Sequence, residues 1–188
     1  MTTAVKRIKL KSERPDSKSF QPYGQIVSPK EDGGVYGEDD AQLDLSHGIP
    51  RFYIMRLEGR SHLTIRNIAH HAVVTQCLGS VGAHSWYLGV APASVVEGEK
   101  VDDDSRGRKT VQSPSGHYYV QPSTDEIRLF RFEGPCFVKL HAGVWHAGPF
   151  FKEDVMDFYN LELSNTNEVD NTIHDFEKED NVIFEIDD

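Results

Sequence analysis

The sequence has few basic residues, only two cysteines and no long hydrophobic run. Its 20 lysines and arginines face 30 aspartates and glutamates, and the resulting net charge of -10 argues against binding to nucleic acid or to an anionic membrane surface. No apolar run approaches the ~20 residues that a membrane-spanning helix needs. The first ten residues lack an apolar core and do not resemble a secretory signal, so the cytoplasm is the expected compartment.

Two kinds of catalytic motif are also missing. There is no Gly-x-Ser-x-Gly turn for a serine nucleophile and no glycine-rich loop for phosphate binding. Cys77 and Cys136 both lie in apolar stretches, where burial raises the pKa of a thiol and makes it a poor nucleophile. We therefore expect two buried, reduced thiols and no covalent cysteine or serine chemistry.

Short strand-like runs, broken by glycine, proline and serine, recur along the chain, whereas helix-period patterns are scarce. The 188 residues suit one domain, spanning residues 1–188, with a single core. Many short strands with frequent turn signals predict an all-β fold, an antiparallel barrel or sandwich with few short helices. The predicted strands are Arg51–Leu57, Ala72–Leu78, Ser85–Val90, His117–Val120, Ile127–Phe132, Cys136–Leu140, Val155–Leu163 and Val182–Ile186.

Three segments outside these runs carry predictions of their own. Ser17–Tyr23 is expected to form a single helical turn. The stretch Glu97–Lys109 has almost no apolar residues and is typical of an exposed loop. The tail from Asp170 is acidic, but its apolar residues suggest that it packs on the body of the domain; these are Ile173, Phe176, Val182, Ile183 and Phe184.

The segment His141–Phe150 is the strongest candidate for chemistry. A buried strand-like run leads directly to His141 and His146, and Lys139 lies two positions before the first of them. Such side chains are costly at the end of a buried strand unless they are partnered or used. Imidazole is also the side chain best suited to move protons near neutral pH. Acid–base chemistry is therefore expected here.

A second histidine pair, His70-His71, borders the apolar run that leads to Gln76. Because successive strand residues point to opposite faces, only one of the two histidines can face a shared cavity. If His71 points inward, Gln76 joins it only if a bulge changes the phase of the strand.

A third polar group lies in the predicted strand Val155–Leu163. By alternation, Asn160 and Glu162 share one face, whereas Asp157 and Tyr159 share the other. A functional polar face and an ordinary edge strand with one wet face both fit this pattern.

The pattern Gly143-x-x-His146 after a β run resembles the second motif of the cupin barrel, whose histidine is a metal ligand. When the first cupin motif is aligned with this chain, its second histidine corresponds to His71 and its glutamate to Gln76. Its first histidine corresponds to Ala69. The resemblance therefore implies a reduced ligand set of His71, Gln76 and His146 if a divalent metal binds. A carboxamide is a poorer ligand than a carboxylate for such a cation.

A closer resemblance covers most of the chain. Phe20–Val27, His71 with Thr75-Gln76, Lys139–Phe150, and Asp157-Phe158 with Glu162 are together similar to the ureidoglycolate lyase family, also called ureidoglycolate hydrolases. This resemblance implies a cupin-type barrel, usually a homodimer, that splits ureidoglycolate into glyoxylate and urea during allantoin breakdown.

That reaction needs one base, one acid and a cationic anchor for the substrate carboxylate. It is expected to need neither a redox cofactor nor a metal. The expected catalytic residues are His141, His146 and Glu162, with either histidine as the base. Lys139 or Arg51 is expected to hold the carboxylate, and Trp145 and Phe150 either wall the pocket or pack in the core. Further substrate contacts are expected from His71, Gln76 and Tyr159.

Two other functions fit the sequence. One is a metal-dependent cupin enzyme that uses His71, Gln76 and His146. The other is a non-catalytic cupin that binds a small molecule. In every case the expected partner is a small molecule rather than a nucleic acid or a membrane.

Overall fold

The computed structural model describes residues 4–96, 108 and 110–188. The predicted loop Glu97–Lys109 therefore lies outside the described residues, apart from Arg108. In chain order the strands are β1 (Lys6–Glu13), β2 (Gly24–Val27), β3 (Pro50–Glu58), β4 (Thr64–Ile65), β5 (Asn67–His70), β6 (Gln76–Ser80), β7 (Trp86–Ala91), β8 (Val95–Val96), β9 (Thr110–Gln112), β10 (Tyr118–Val120), β11 (Arg128–Phe132), β12 (Phe137–Leu140), β13 (Trp145–Phe150), β14 (Val155–Leu163), β15 (Thr172–Asp175) and β16 (Val182–Asp187). The helices, each a single turn, are α1 (Ser17–Phe20), α2 (Thr166–Val169) and α3 (Phe176–Glu179).

The all-β prediction is confirmed: the strands form two large sheets and one small one. The five-stranded sheet has the order β2-β12-β6-β14-β3, and the three-stranded sheet has the order β8-β10-β9. All pairings within these two sheets are antiparallel. The eight-stranded sheet has the order β15-β5-β13-β7-β11-β1-β16-β4.

Strand β1 departs from the predicted antiparallel arrangement, because it pairs in parallel with both β11 and β16. The sequence analysis did not predict this strand. Its residues alternate between basic side chains and the partly buried Ile8 and Leu10, which is the pattern of a half-buried strand. Both of its partners lie more than 100 residues away along the chain, so no local turn signal marks the pairing.

The main core lies between the two large sheets. Leu78, Val138 and Phe158 from the five-stranded sheet pack in it with Trp86 and Phe130 from the eight-stranded sheet. A second core, on the other face of the eight-stranded sheet, contains Tyr119 of β10 and Phe176 of α3. Burial of these apolar side chains from both faces of one sheet is the main stabilising contribution to such a layered fold.

The acidic tail packs on the body as predicted, with one exception. Phe176, Val182, Ile183 and Phe184 are buried, but Ile173 is 56% exposed. Strand β15 is an edge strand in which Thr172 and His174 face inward, so alternation turns Ile173 to the outside.

The predicted strand Ala72–Leu78 begins four residues later than expected, at Gln76. The carboxylate of Asp170 accepts hydrogen bonds from the backbone N–H groups of Ala72 and Val73, at 2.8 and 2.9 Å. These two N–H groups therefore bond a side chain and not a neighbouring strand. The chain leaves the eight-stranded sheet at His71 and enters the five-stranded sheet at Gln76.

None of the helices in the described part of the chain has the length and apolar character required to cross a membrane.

Candidate active site

A cavity of about 450 Å³ opens beside the ends of β5 and β13. It contains two of the predicted histidines, His71 and His146, together with two arginines that the sequence analysis did not single out. The lining residues are Arg60, Thr64, Ile65, Arg66, Asn67, Ala69, His71, His146, Ala147, Gly148, Phe150, Asn167 and Asn171.

His146 is the second residue of β13, and its register partners on the neighbouring strands are Val90 and Ala69. Its Nδ1 atom lies 3.1 Å from the backbone oxygen of Val144. Because a carbonyl oxygen only accepts, Nδ1 carries the proton and Nε2 keeps a free lone pair. Burial, and secondarily the nearby His71, lowers the pKa of His146 to about 4, so this imidazole is neutral at pH 7.

The ring of His71 lies next to that of His146 at the cavity, with 5.3 Å between the two ring centroids. Its Nδ1 atom lies 2.5 Å from the backbone oxygen of Asp170, so its proton is also on Nδ1 and its Nε2 is free to accept. Neither Nε2 atom has a hydrogen-bond partner among the described residues, although both histidines line the cavity. The cavity therefore holds two imidazoles of the same tautomer, each with an unused basic nitrogen.

The two arginines of the cavity differ in their surroundings. Arg66 makes an ion pair with Glu177. The guanidinium of Arg60 instead lies over the ring of Phe150, 4.9 Å from its centroid, and makes no ion pair within the described part of the chain. The positive potential of the cavity therefore comes mainly from Arg60.

His70 points away from the cavity, which confirms that the adjacent histidines face opposite sides of the strand. It is fully buried against Trp145, and its Nε2 lies 2.8 Å from Nε2 of His117. Burial lowers the pKa of His70 to about 3, and the neighbouring imidazoles contribute to the shift. Trp145 packs in the second core and does not line the cavity, whereas Phe150 lines the cavity.

Glu162 and Gln76 belong to a separate polar cluster on the inner face of the five-stranded sheet. The buried Glu162 carboxylate lies 3.3 Å from Gln76 Nε2, 3.3 Å from the Tyr53 hydroxyl and 3.8 Å from Arg51 Nη1. Arg51 also stacks on Tyr53, with 3.8 Å between the guanidinium carbon and the ring centroid. None of these side chains lines the histidine cavity.

Lys139 and His141 form a third cluster. Lys139 Nζ lies 2.9 Å from His141 Nδ1, and His141 Nε2 donates to the backbone oxygen of Gln21 at 3.1 Å. Lys139 follows the core residue Val138 and therefore lies on the outer face of the five-stranded sheet. Burial lowers the pKa of Lys139, and burial together with the Lys139 charge lowers the pKa of His141.

Tyr159 also lies on the outer face of the five-stranded sheet. It is 42% exposed and stacks on Phe52, with ring centroids 6.1 Å apart. Of the eight residues predicted to act in catalysis or binding, only His71 and His146 are therefore in the cavity.

The residues at the cavity do not form a complete metal site. Two imidazole nitrogens are available, but Gln76 is absent from the cavity lining. Within the described ranges no group of three or more histidine, cysteine, aspartate or glutamate side chains is arranged to hold a metal ion. A catalytic zinc site in proteins usually has three protein ligands, so the predicted set of His71, Gln76 and His146 does not fit a tightly held cation.

Sequence reasoning missed Arg60, Asp170, Asn167 and Asn171. Arg60 follows Gly59 at the end of β3 with no motif around it, and Asp170 is 99 residues from its partner His71. Only the tertiary structure relates these residues to the histidines.

The sequence matches no protein-family model and no curated protein.

Proposed function

We propose that the histidine cavity is the active site of a carbon–nitrogen lyase that cleaves ureidoglycolate into glyoxylate and urea by acid–base catalysis. One observation carries the proposal: His71 and His146 lie next to each other at one cavity with their Nδ1 protons committed to backbone carbonyls and both Nε2 atoms unused. This arrangement supplies two proton-transfer groups at the same cavity.

The reaction is an elimination at one carbon that bears a hydroxyl, a carboxylate and the ureido nitrogen. His146 is the candidate for the base because its imidazole is neutral at pH 7 and its Nε2 lone pair is free. It takes the hydroxyl proton, the electron pair of the O–H bond forms the carbonyl, and the C–N bond breaks. The departing nitrogen takes a proton and leaves as neutral urea.

His71 is the candidate for the acid in this scheme. For that role it must carry a second proton on Nε2 when the substrate binds, and its Nδ1–H···O bond to Asp170 is compatible with the protonated ring. His141 and Glu162, the other expected catalytic residues, occupy separate clusters, so the cavity geometry favours the pair His71 and His146 over them.

An assay of the purified chain with racemic ureidoglycolate tests the proposal. Glyoxylate, urea and ammonia are measured separately over time. Formation of glyoxylate and urea in equal amounts without ammonia supports the lyase. Release of ammonia would mean amide hydrolysis instead, and absence of turnover for both enantiomers would reject the enzyme and leave the non-catalytic binding protein.

The metal-dependent alternative has one observation in its favour. Histidines that bind metals commonly donate their other ring N–H to a carbonyl or carboxylate, as both cavity histidines do. Metal analysis of protein purified without chelator separates this alternative from the lyase. Stoichiometric iron or manganese, with activity lost on chelation, would favour it.

We also propose that the chain is a homodimer that pairs through the outer face of its five-stranded sheet. Phe52 and Ile54 are 69% and 59% exposed on this face, beside an apolar groove of about 540 Å³. The ion pair of Arg56 with Asp157 lies on the same face and presents both signs of charge. A face with exposed apolar side chains and both signs of charge can be self-complementary under a two-fold axis.

The cytoplasm remains the proposed compartment. Both cysteines are free thiols, and burial raises the pKa of Cys77 to about 11. Unpaired, unreactive thiols are typical of proteins that work in a reducing compartment.

A further inference from the structure

Arg60 differs from every other arginine in the described part of the chain. Nine arginines fall within the described residues, and eight of them have a carboxylate oxygen within 4.0 Å. The eight are Arg7, Arg14, Arg51, Arg56, Arg66, Arg108, Arg128 and Arg131. Arg60 is exposed to solvent, and within the described residues it is the arginine without an acidic partner, at the cavity that holds both histidines.

The contact with Phe150 fixes the guanidinium without using its hydrogen bonds. Arg60 lies over the face of a ring that is itself buried, at 4.9 Å from the centroid. A cation–π contact uses the flat face of the guanidinium and leaves the N–H groups at its edge free. Both residues line the cavity, so an oxyanion in the cavity can reach those N–H groups.

The neighbouring Arg66 does not have this freedom. Its Nη1 is bound to Glu177, so its charge is already balanced. The amide side chains of Asn67, Asn167 and Asn171 complete the polar lining but carry no charge. Of the two arginines in the cavity, Arg60 is therefore the one whose charge has no acidic partner among the described residues, and one guanidinium matches one carboxylate.

We propose that Arg60 is the anion-binding residue of the cavity and that its natural ligand is a small molecule with one carboxylate. The inference deepens the proposed function, on which it rests for the identity of the site, and it moves the carboxylate anchor away from Lys139 and Arg51. A carboxylate presents two oxygens to two guanidinium N–H groups in one plane, a geometry that an ammonium group cannot provide.

A binding experiment without turnover tests this proposal. The ¹⁵N-labelled protein is titrated with glycolate, which has the hydroxyl and carboxylate of the proposed substrate but no ureido group, and the His71 and His146 ring signals are followed by NMR. The neutral isostere glycolamide is the matched ligand. We expect glycolate to shift both ring signals, and Arg60→Gln to weaken glycolate binding about tenfold or more, because a hydrogen bond to a charged group is lost. Glycolamide binding should be the same in both proteins.

Two further variants make the outcome specific. Arg60→Lys should keep part of the affinity because the charge remains, and Arg66→Gln should weaken glycolate less than Arg60→Gln does. Unchanged glycolate affinity in Arg60→Gln, a larger loss in Arg66→Gln, or no glycolate binding to the native protein would each overturn the proposal. An Arg60-dependent affinity for glycolate with no lyase activity would preserve the anion site and reject the lyase, so the two failures are distinguishable.

Discussion

The Nδ1 atom of His71 lies 2.5 Å from the backbone oxygen of Asp170, and the carboxylate of the same aspartate holds the backbone N–H groups of the next two residues. One residue thus fixes both the tautomer of His71 and the turn that follows it. Asp170 is 4% exposed and lies between α2 and β15, just before the edge strand that pairs with β5. The orientation of the cavity histidine therefore depends on the docking of the tail.

The first prediction concerns the hydrogen bonds that the Asp170 carboxylate accepts from the backbone of Ala72 and Val73. Asp170→Ala removes the acceptor for the N–H groups of Ala72 and Val73, and we expect it to lower the free energy of unfolding by about 1–3 kcal/mol. Asp170→Asn keeps one acceptor oxygen and should lose less. Urea unfolding measures the loss, and the ¹⁵N shifts of the His71 ring report its tautomer. The tautomer should be unchanged, because the backbone oxygen of residue 170 remains, and a native stability in Asp170→Ala would show that the carboxylate hydrogen bonds are not needed.

The second prediction concerns His146. His146→Ala should reduce turnover of ureidoglycolate by about 10²–10⁴-fold, the usual cost of losing a general acid or base, while the protein stays folded. His84→Ala is the matched control, because His84 is exposed just after a turn and does not line the cavity. Steady-state rates and a thermal melt of each variant are the measurements. Near-native turnover in His146→Ala would remove this residue from the mechanism.

The third prediction is a loss of stability in acid. The folded-state pKa of His70, lowered to about 3, lies below the ordinary value of 6.5, so the unfolded state binds a proton first as the pH falls. Stability is therefore full above about pH 6.5 and decreases from there to about pH 3, at about 1.4 kcal/mol per pH unit for one such group. Urea unfolding of the wild type and of His70→Leu between pH 7 and 4.5 checks the sign. Equal slopes in both proteins would contradict the assignment.

The fourth prediction concerns the outer sheet face. Phe52→Glu places a charge at the centre of the proposed dimer contact and should give a monomer by light scattering. Ile173→Glu is the control, since Ile173 is 56% exposed on an edge strand of the other large sheet. A native protein that is already monomeric at micromolar concentration would exclude this interface.

The fifth prediction follows from the incomplete ligand set. With only two imidazole ligands in the cavity, the lyase activity should survive dialysis against EDTA with little change. Activity that disappears and returns with added manganese or iron would instead favour the metal-dependent enzyme.

Much of the sheet structure follows from local patterns in the sequence. Strand β14 has the predicted bounds Val155–Leu163, and β3 and β7 differ from their predictions by a residue at either end. These segments are rich in aromatic and other apolar residues, so short-range preferences and the final fold agree. The predicted helical turn near Ser17 is also present, and the Asp16 side chain caps it through the Ser19 N–H at 2.7 Å.

The predicted convergence of the polar residues was only partly correct, for a geometric reason. Alternation separates Lys139 from the inward-facing Leu140, and it likewise separates Tyr159 from Glu162. His71 and Gln76 are five residues apart in the chain, but His71 follows the end of β5 in the eight-stranded sheet and Gln76 begins β6 in the five-stranded sheet. Proximity in the sequence did not translate into a shared cavity for these residues.

The sequence by itself determined that the chain folds into β sheets and that His70 and His71 point to opposite sides. These features depend on strand periodicity, which is a property of neighbouring residues. The tertiary structure alone decided that Arg60 and Asp170 join the two histidines, because their positions depend on where strands distant in sequence pair and where the tail docks. No local pattern encodes those long-range contacts.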